Sequence, residues 1–223
     1  MNTCVLIPVY NEAKALGGIV KSLKDKGLDV IVVDDGSTDD SSRIAKENGA
    51  FVMRHQNKNG KGYSLQRGFQ YILKKGYDGI IMMDGDGQHS VEDIGQFIEY
   101  AQSHQKGILN GNRMANSKSM PWLRFLTNRI MSLMISFVCR QSIPDTQCGY
   151  RYVSREILEN IDLACKEYEI ETEILIKASK KGYKIDSVGV QTIYKDEESH
   201  IHPFKDTIRF FAYYVKELFT FRN

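Results

Sequence analysis

The chain is short of the features that would set it apart from an ordinary globular protein of the cytoplasm. Its four cysteines, Cys4, Cys139, Cys148 and Cys165, form no CxxC pair and no zinc-like spacing. They read as reduced thiols and not as a disulfide framework. Charge of one sign is not in excess: 30 Lys and Arg stand against 28 Asp and Glu, a net +2. That balance does not suggest a dedicated nucleic-acid binder. No apolar run reaches the roughly 20 residues that cross a bilayer. The N-terminus carries no basic segment with a cleavage site, so no secretory signal is expected. Internal repeats and low-complexity linkers are also missing, and no domain boundary stands out.

What is present is an alternation of short apolar runs with amphipathic segments, the pattern of a largely parallel sheet covered by helices. Strands are expected at 4–9, 30–33, 50–54, 79–83 and 107–110. Helices are expected at 13–26, from the Ser37-Thr38-Asp39 capping residues to about 48, at 63–75, and after Ser90. The second half is less regular. A long apolar helix is expected at 121–140, a strand entered from a loop at 145–152, an amphipathic helix at 167–181 and a strand at 184–191. An aromatic-rich helix at 204–221 follows. The chain of 223 residues suits one α/β domain, here 1–195, with 196–223 as a helix packed on it or on a membrane.

In an open α/β sheet, ligands bind beyond the carboxyl ends of the strands. Acidic residues stand at two such ends: Asp34 and Asp35 after the second strand, Asp84 and Asp86 after the fourth. Two carboxylates separated by one glycine, Gly85, can converge on a hard cation and leave positions open for phosphate oxygens. A cation there neutralises a diphosphate leaving group. The alternative is an Asp-Gly surface turn with nothing bound.

Three motifs in order carry a family resemblance: Pro8-Val9-Tyr10-Asn11-Glu12, Val33-Asp34-Asp35-Gly36-Ser37-Thr38-Asp39, and Asp84-Gly85-Asp86. Together they resemble the inverting family 2 glycosyltransferases of GT-A fold. Gly111-Asn112-Arg113 and Asp145-Thr146-Gln147-Cys148-Gly149-Tyr150-Arg151 extend the likeness to the dolichol- and polyprenol-phosphate mannosyltransferase branch, over roughly residues 3 to 195. The resemblance implies that Pro8, Tyr10 and Glu12 line the base and ribose pocket, with Asp34 or Asp35 on the base. It implies that Asp84, Asp86 and Gln88 hold Mg²⁺ or Mn²⁺ on the donor diphosphate. From position alone, Tyr10 can equally pack at a strand end, and Glu12 can equally serve a helix N-terminus.

The same resemblance places a basic and a hydroxyl position on the acceptor phosphate. Arg113 ends the fifth strand, and Arg124 and Asn128, four apart, share a helix face. Asn128 stands where that branch often has serine. A guanidinium grips phosphate bidentately, although Arg124 can also snorkel from an apolar helix. Asp145 reads either as a base for a hydroxyl acceptor or as an organiser of its loop.

Near the end the family's basic loop is replaced by Glu197-Glu198-Ser199-His200-Ile201-His202-Pro203, with Lys195 and Lys205 beside it. This departure concerns donor and acceptor identity more than reaction type. Residues 204–221 interleave aromatics with cations and can lie in a bilayer interface. The expected partners are therefore a GDP- or UDP-sugar and a polyprenyl or dolichyl phosphate, at the inner face of a membrane. Alternatives are transfer to a saccharide hydroxyl in cell-surface polysaccharide synthesis, and a non-catalytic nucleotide-binding module. A nucleotidyltransferase would need a glycine-rich basic loop, of which 13–18 is a poor version.

Overall fold

Strand β1 (Thr3–Val9) shows how the sheet is buried: Cys4 and Leu6 enter one apolar cluster, Val5, Ile7 and Val9 the other. A period-two strand buried on both faces needs a covering layer on each side. The computed structural model supplying this description covers residues 2–104, 106–115, 120–193 and 203–220, with side chains in the last stretch over 208–218. Residues 194–202, with Lys195, His200 and His202, and the Lys205 side chain lie outside the described residues.

Helix α1 (Ala13–Asp25) buries Leu16, Ile19, Val20 and Leu23, the i, i+3, i+4, i+7 pattern of one helical face. It leads into β2 (Asp29–Asp34), α2 (Ser41–Glu47) and β3 (Phe51–Arg54). Helix α3 (Lys61–Lys75) begins two residues before its expected start and closes on Gly76, whose φ of 77° is left-handed. Glycine takes this conformation without a Cβ clash, which makes it a common helix stop. Then come β4 (Gly79–Met82), α4 (Ile94–Ser103), β5 (Ile108–Asn112) and α5 (Trp122–Cys139). Strand β6 (Arg151–Ser154) runs directly into α6 (Arg155–Asn160), followed by α7 (Ile170–Lys180), β7 (Ile185–Gly189) and α8 (Pro203–Thr220).

The strand order is β3-β2-β1-β4-β6-β5-β7. Only β6 runs antiparallel, to β4 on one side and β5 on the other. The mostly parallel sheet flanked by helices is thus the architecture expected. Order reverses between β1 and β4, opening a crevice at their carboxyl ends. Helix α8 packs on the body along one side, with Phe210 and Tyr213 in the core and Glu217 paired to Lys180 at 2.5 Å. Its other side exposes Ile208, Phe211 and Val215. Among the described residues, no helix is long and apolar enough to cross a membrane.

Candidate active site

The carboxyl ends of β1 and β2 are tied together by short polar side chains. Asn11 adopts a φ of 59°, a left-handed conformation that asparagine tolerates better than most residues. Its amide donates to Ser37 Oγ at 2.9 Å, and Thr38 donates its amide to Asn11 Oδ1 at 2.8 Å. The Glu12 amide donates to Ser41 Oγ at 2.8 Å. Tyr10 and Glu12 therefore sit on a turn fixed by the 34–41 segment, while Pro8 lies in the last residues of β1, paired with Val33 of β2. The Lys58 ammonium lies 3.7 Å from the centre of the Tyr10 ring, a cation–π contact.

Asp34 and Asp35 are both buried; Asp34 serves its own loop and Asp35 the segment that follows β3. Asp34 accepts from the Ser37 amide at 2.7 Å and from the Ser42 hydroxyl, with Arg54 Nε 3.6 Å away. Asp35 accepts from the amides of Asn59 and Gly60 at 2.9 and 2.8 Å and lies 3.0 Å from His55 Nδ1. The pair thus shapes both edges of the crevice.

Asp84 is the centre of the second cluster. Its Oδ1 is 2.6 Å from Lys61 Nζ, and the same ammonium is 2.5 Å from Glu171 Oε1. Burial is the largest influence on Asp84 and opposes its ionisation, but the charges of Lys61, His89 and Arg113 and the Lys61 hydrogen bond together outweigh it and draw the carboxyl down to about 2. Asp86 goes the other way: burial, then the Asp84 charge, push it up. Its Oδ1 accepts from the Gln88 amide at 2.9 Å, so Gln88 sits within the same turn. His89 receives the Asp84 amide on Nδ1 at 3.2 Å and stacks on Tyr150, ring centres 5.0 Å apart. Burial lowers its pKa, in keeping with a neutral ring accepting at Nδ1.

Two glycines leave the space that this cluster occupies. A Cβ on Gly149 would come within 2.9 Å of both Asp84 Oδ2 and Glu171 Oε1, and one on Gly85 within 2.7 Å of Val9. A divalent cation fits the donor set: two adjacent carboxylates whose mutual repulsion it would relieve, at a place no Cβ fills. Among the described residues, no group of three or more His, Cys, Asp or Glu is arranged around a common ion position. A cation here would accordingly have only Asp84 and Asp86 as carboxylate donors.

Arg113 and Asp145 hold each other. Arg113 Nε and Nη2 donate to Asp145 Oδ2 and Oδ1 at 2.8 and 3.0 Å, and the Arg113 amide adds a third bond at 3.1 Å. Asp145 is fully buried and also accepts from the Gln147 amide at 3.1 Å. Of its two expected readings, this geometry is that of a loop organiser. Arg124 is half-buried on α5 and Asn128 is buried. Asn128 Nδ2 has no hydrogen-bond partner among the described residues, a donor whose burial costs free energy until something accepts from it.

Lys61, Glu171, His89 and Arg151 were not among the expected site residues, yet they shape the crevice. Arg151, the largest fully buried side chain, donates to Asn110 Oδ1 at 2.7 Å and to the Glu171 carbonyl at 2.8 Å. Asn110 in turn donates to the Asp145 carbonyl at 2.5 Å. The signal for Lys61 was its place between Gly60 and Gly62. Glu171 had no distinguishing signal, since amphipathic helices carry glutamates as a matter of course.

The sequence profile described as Glycosyl transferase family 2 matches residues 4–162. Among curated proteins, the chain is 30% identical over 219 residues to the UDP-N-acetylglucosamine--dolichyl-phosphate N-acetylglucosaminyltransferase of Methanococcus voltae, covering 86% of each. It is 28% identical over 201 residues to the polyprenol monophosphomannose synthase of Mycolicibacterium smegmatis, covering 84% of this chain and 76% of that one. Among solved structures, glucosyl-3-phosphoglycerate synthase from Mycobacterium tuberculosis, in complex with Mn²⁺, uridine diphosphate and phosphoglyceric acid, superposes with a TM-score of 0.72 at 18% identity. That match covers 98% of this chain and 78% of the other. The structural likeness is one of fold.

Proposed function

Since the chain belongs to glycosyl transferase family 2, we propose that it moves a hexose from a GDP- or UDP-sugar to the phosphate of a polyprenol or dolichol, inverting the anomeric carbon. The observation that carries this reading is the pair Asp84 and Asp86 beyond β4, beside the end of β1 and the turn that follows it, at the point where strand order reverses. Relatives named for dolichyl-phosphate and polyprenol substrates support the acceptor class.

In this reading Pro8, Tyr10 and Glu12 line the nucleoside pocket, and Asp34 and Asp35 hold its walls or meet the base. Asp84, Asp86 and Gln88 would hold Mg²⁺ or Mn²⁺, which neutralises the diphosphate as it leaves. The Lys61 ammonium, kept between Asp84 and Glu171, adds positive charge at the same place. Arg113, Arg124 and Asn128 aim the acceptor phosphate. One of its oxygens attacks C1 from the face opposite the diphosphate; the C1–O bond breaks and the nucleoside diphosphate leaves with the electron pair. A phosphate monoester carries between one and two negative charges at neutral pH, so no residue need remove a proton.

A hydroxyl acceptor, by contrast, calls for a general base. Asp145 spends both oxygens on Arg113 and the Gln147 amide, which favours the phosphate acceptor over the saccharide alternative. The test is a panel of labelled GDP- and UDP-sugars with a short polyprenyl phosphate and Mg²⁺ or Mn²⁺, with and without EDTA. Label entering the lipid phase only when metal is present supports the reading. Donor hydrolysis without lipid labelling moves the acceptor elsewhere, and nucleotide binding without turnover leaves a binding module.

A further inference from the structure

Past the end of β7, residues 190–193 continue in the manner of a strand, their amides divided between two sides. The Val190 amide donates to the Asn112 carbonyl at 3.2 Å, one residue before Arg113. On the other side the Gln191 amide donates to Asp93 Oδ2 at 2.7 Å, and the Ile193 amide to the Gln88 carbonyl at 2.9 Å. Thr192 pairs there with His89 as an isolated antiparallel bridge. Gln88 gives its own amide to Asp86 Oδ1, and His89 receives that of Asp84. The segment thus reaches from the Arg113 end of β5 to the turn that carries Asp84 and Asp86. Val190 is buried and anchors it, whereas the Ile193 side chain is exposed. Asp93 is itself buried, and its Oδ1 accepts from Gln96 Nε2 at 3.4 Å.

Asp86 stands between Gly85 and Gly87, so its turn has little stiffness of its own. The Gln88 carbonyl belongs to the planar peptide unit that joins Gln88 to His89. Whatever holds that carbonyl therefore orients both residues, and with them the bonds to Asp86 and Asp84. We infer that residues 190–193 are the strut that sets this turn for its cation, with Asp93 as a positioning residue acting through the Gln191 amide. The inference rests on the proposed cation site and adds a mechanical link from it to the Arg113 end of the crevice. Support of this kind matters to a metal site: its removal typically costs about ten- to hundredfold in affinity.

The test removes one amide. Ile193→Pro takes away the donor to Gln88 at an exposed side chain, and Ile193→Ala keeps that donor. Mn²⁺ is titrated into each full chain with UDP or GDP present, and the free ion is followed by electron paramagnetic resonance. Affinity should fall roughly tenfold or more in the proline variant and stay at the wild-type value in the alanine variant. Hydrogen exchange in peptides spanning 84–89 gives a second reading that needs no metal. It should quicken roughly fivefold in Ile193→Pro, the worth of one hydrogen bond, while peptides of α3 and α7 exchange as in wild type. Should the proline variant fail to fold, Asp93 decides. Asp93→Ala should show both losses, and Asp93→Asn, whose side-chain oxygen still accepts from Gln191, should largely restore them. Wild-type Mn²⁺ affinity or unchanged 84–89 exchange in Ile193→Pro overturns the strut, as does an equal loss of affinity in Ile193→Ala. Faster exchange throughout the chain overturns it too, in favour of a merely structural role. An Asp93→Asn protein as impaired as Asp93→Ala removes Asp93 from the strut. If wild type binds no Mn²⁺ with either nucleotide yet the exchange result holds, the cation reading fails and the brace on the turn stands.

Discussion

Asp84 and Asp86 are two residues apart and titrate in opposite directions because their neighbours differ. Lys61 answers the charge of Asp84, while Asp86 meets mainly burial and the charge of Asp84 itself. The second carboxylate is therefore the one whose ionised form gains most from a cation. Asp86→Ala should lower metal-dependent transfer by about a hundredfold or more, since Lewis-acid stabilisation amounts to several kcal/mol. Its unfolding midpoint in urea should stay at or above that of wild type, because a repulsion has been removed. Wild-type rates in this variant would remove Asp86 from the metal site. Asp145→Ala should act on stability instead. It leaves the Arg113 guanidinium buried without its carboxylate, a loss of about 3 to 5 kcal/mol in buried pairs, readable as a lowered urea midpoint at unchanged slope. A stability change under about 1 kcal/mol would show that the pair is solvated. The motif residues themselves were legible in the sequence because strand ends concentrate ligands. That Asp145 is saturated by Arg113 was not, since 32 residues separate them and only the packing of β5 against the 145–148 loop brings them together.

At the level of elements, the first turn of α3 is set by contact rather than by capping. Gly60 has a φ of 105°, and a Cβ on Gly62 would lie 2.5 to 2.8 Å from backbone atoms of Cys165, Lys166 and Glu167. The Tyr63 amide donates to the Lys166 carbonyl at 3.0 Å, and Gln66 to that of Cys165 at 2.7 Å. Gly62→Ala should push these segments apart, cost about 1 to 3 kcal/mol and, by moving Lys61, weaken donor binding in a calorimetric titration. Unchanged donor affinity at reduced stability would separate Lys61 from the donor site.

Asp39 ties α1 to the loop before α2. It accepts from the Ala13 amide at 3.1 Å and from the amide and hydroxyl of Ser41 at 3.0 and 2.6 Å. Burial opposes its ionisation, but these donors prevail and leave it more acidic than usual. A depressed folded pKa lends stability above the ordinary aspartate range, near 4, and that stability is lost as pH falls through it. Wild type should therefore exceed Asp39→Asn in stability at neutral pH, and their acid-unfolding curves should draw together below about pH 4. A constant gap across that range would mean that the carboxylate charge contributes nothing.

The helices and strands of the first half follow from periodicity. In the second half, α6 escaped because six residues beginning directly at the end of β6 show too little of a 3.6-residue period. The antiparallel sense of β6 is likewise a property of chain routing, which no local pattern records.

For the molecule as a whole, the sheet order places β1 between β2 and β4, so that the acidic ends of those two strands flank the turn after β1. The later segments close the crevice from the side through Arg151, Glu171 and the Arg113–Asp145 pair. The sequence motifs alone show which residues are chemical. The topology shows why residues as far apart as Lys61 and Glu171 meet on Asp84. The measurement that bears most directly on the central claim is the structure of the reaction product by phosphorus and proton resonance, starting from an α-linked nucleotide sugar, a short polyprenyl phosphate and metal. The account predicts a sugar joined through C1 to the lipid phosphate in the β configuration. An α-linked product, or a sugar found only on a hydroxyl, would contradict it.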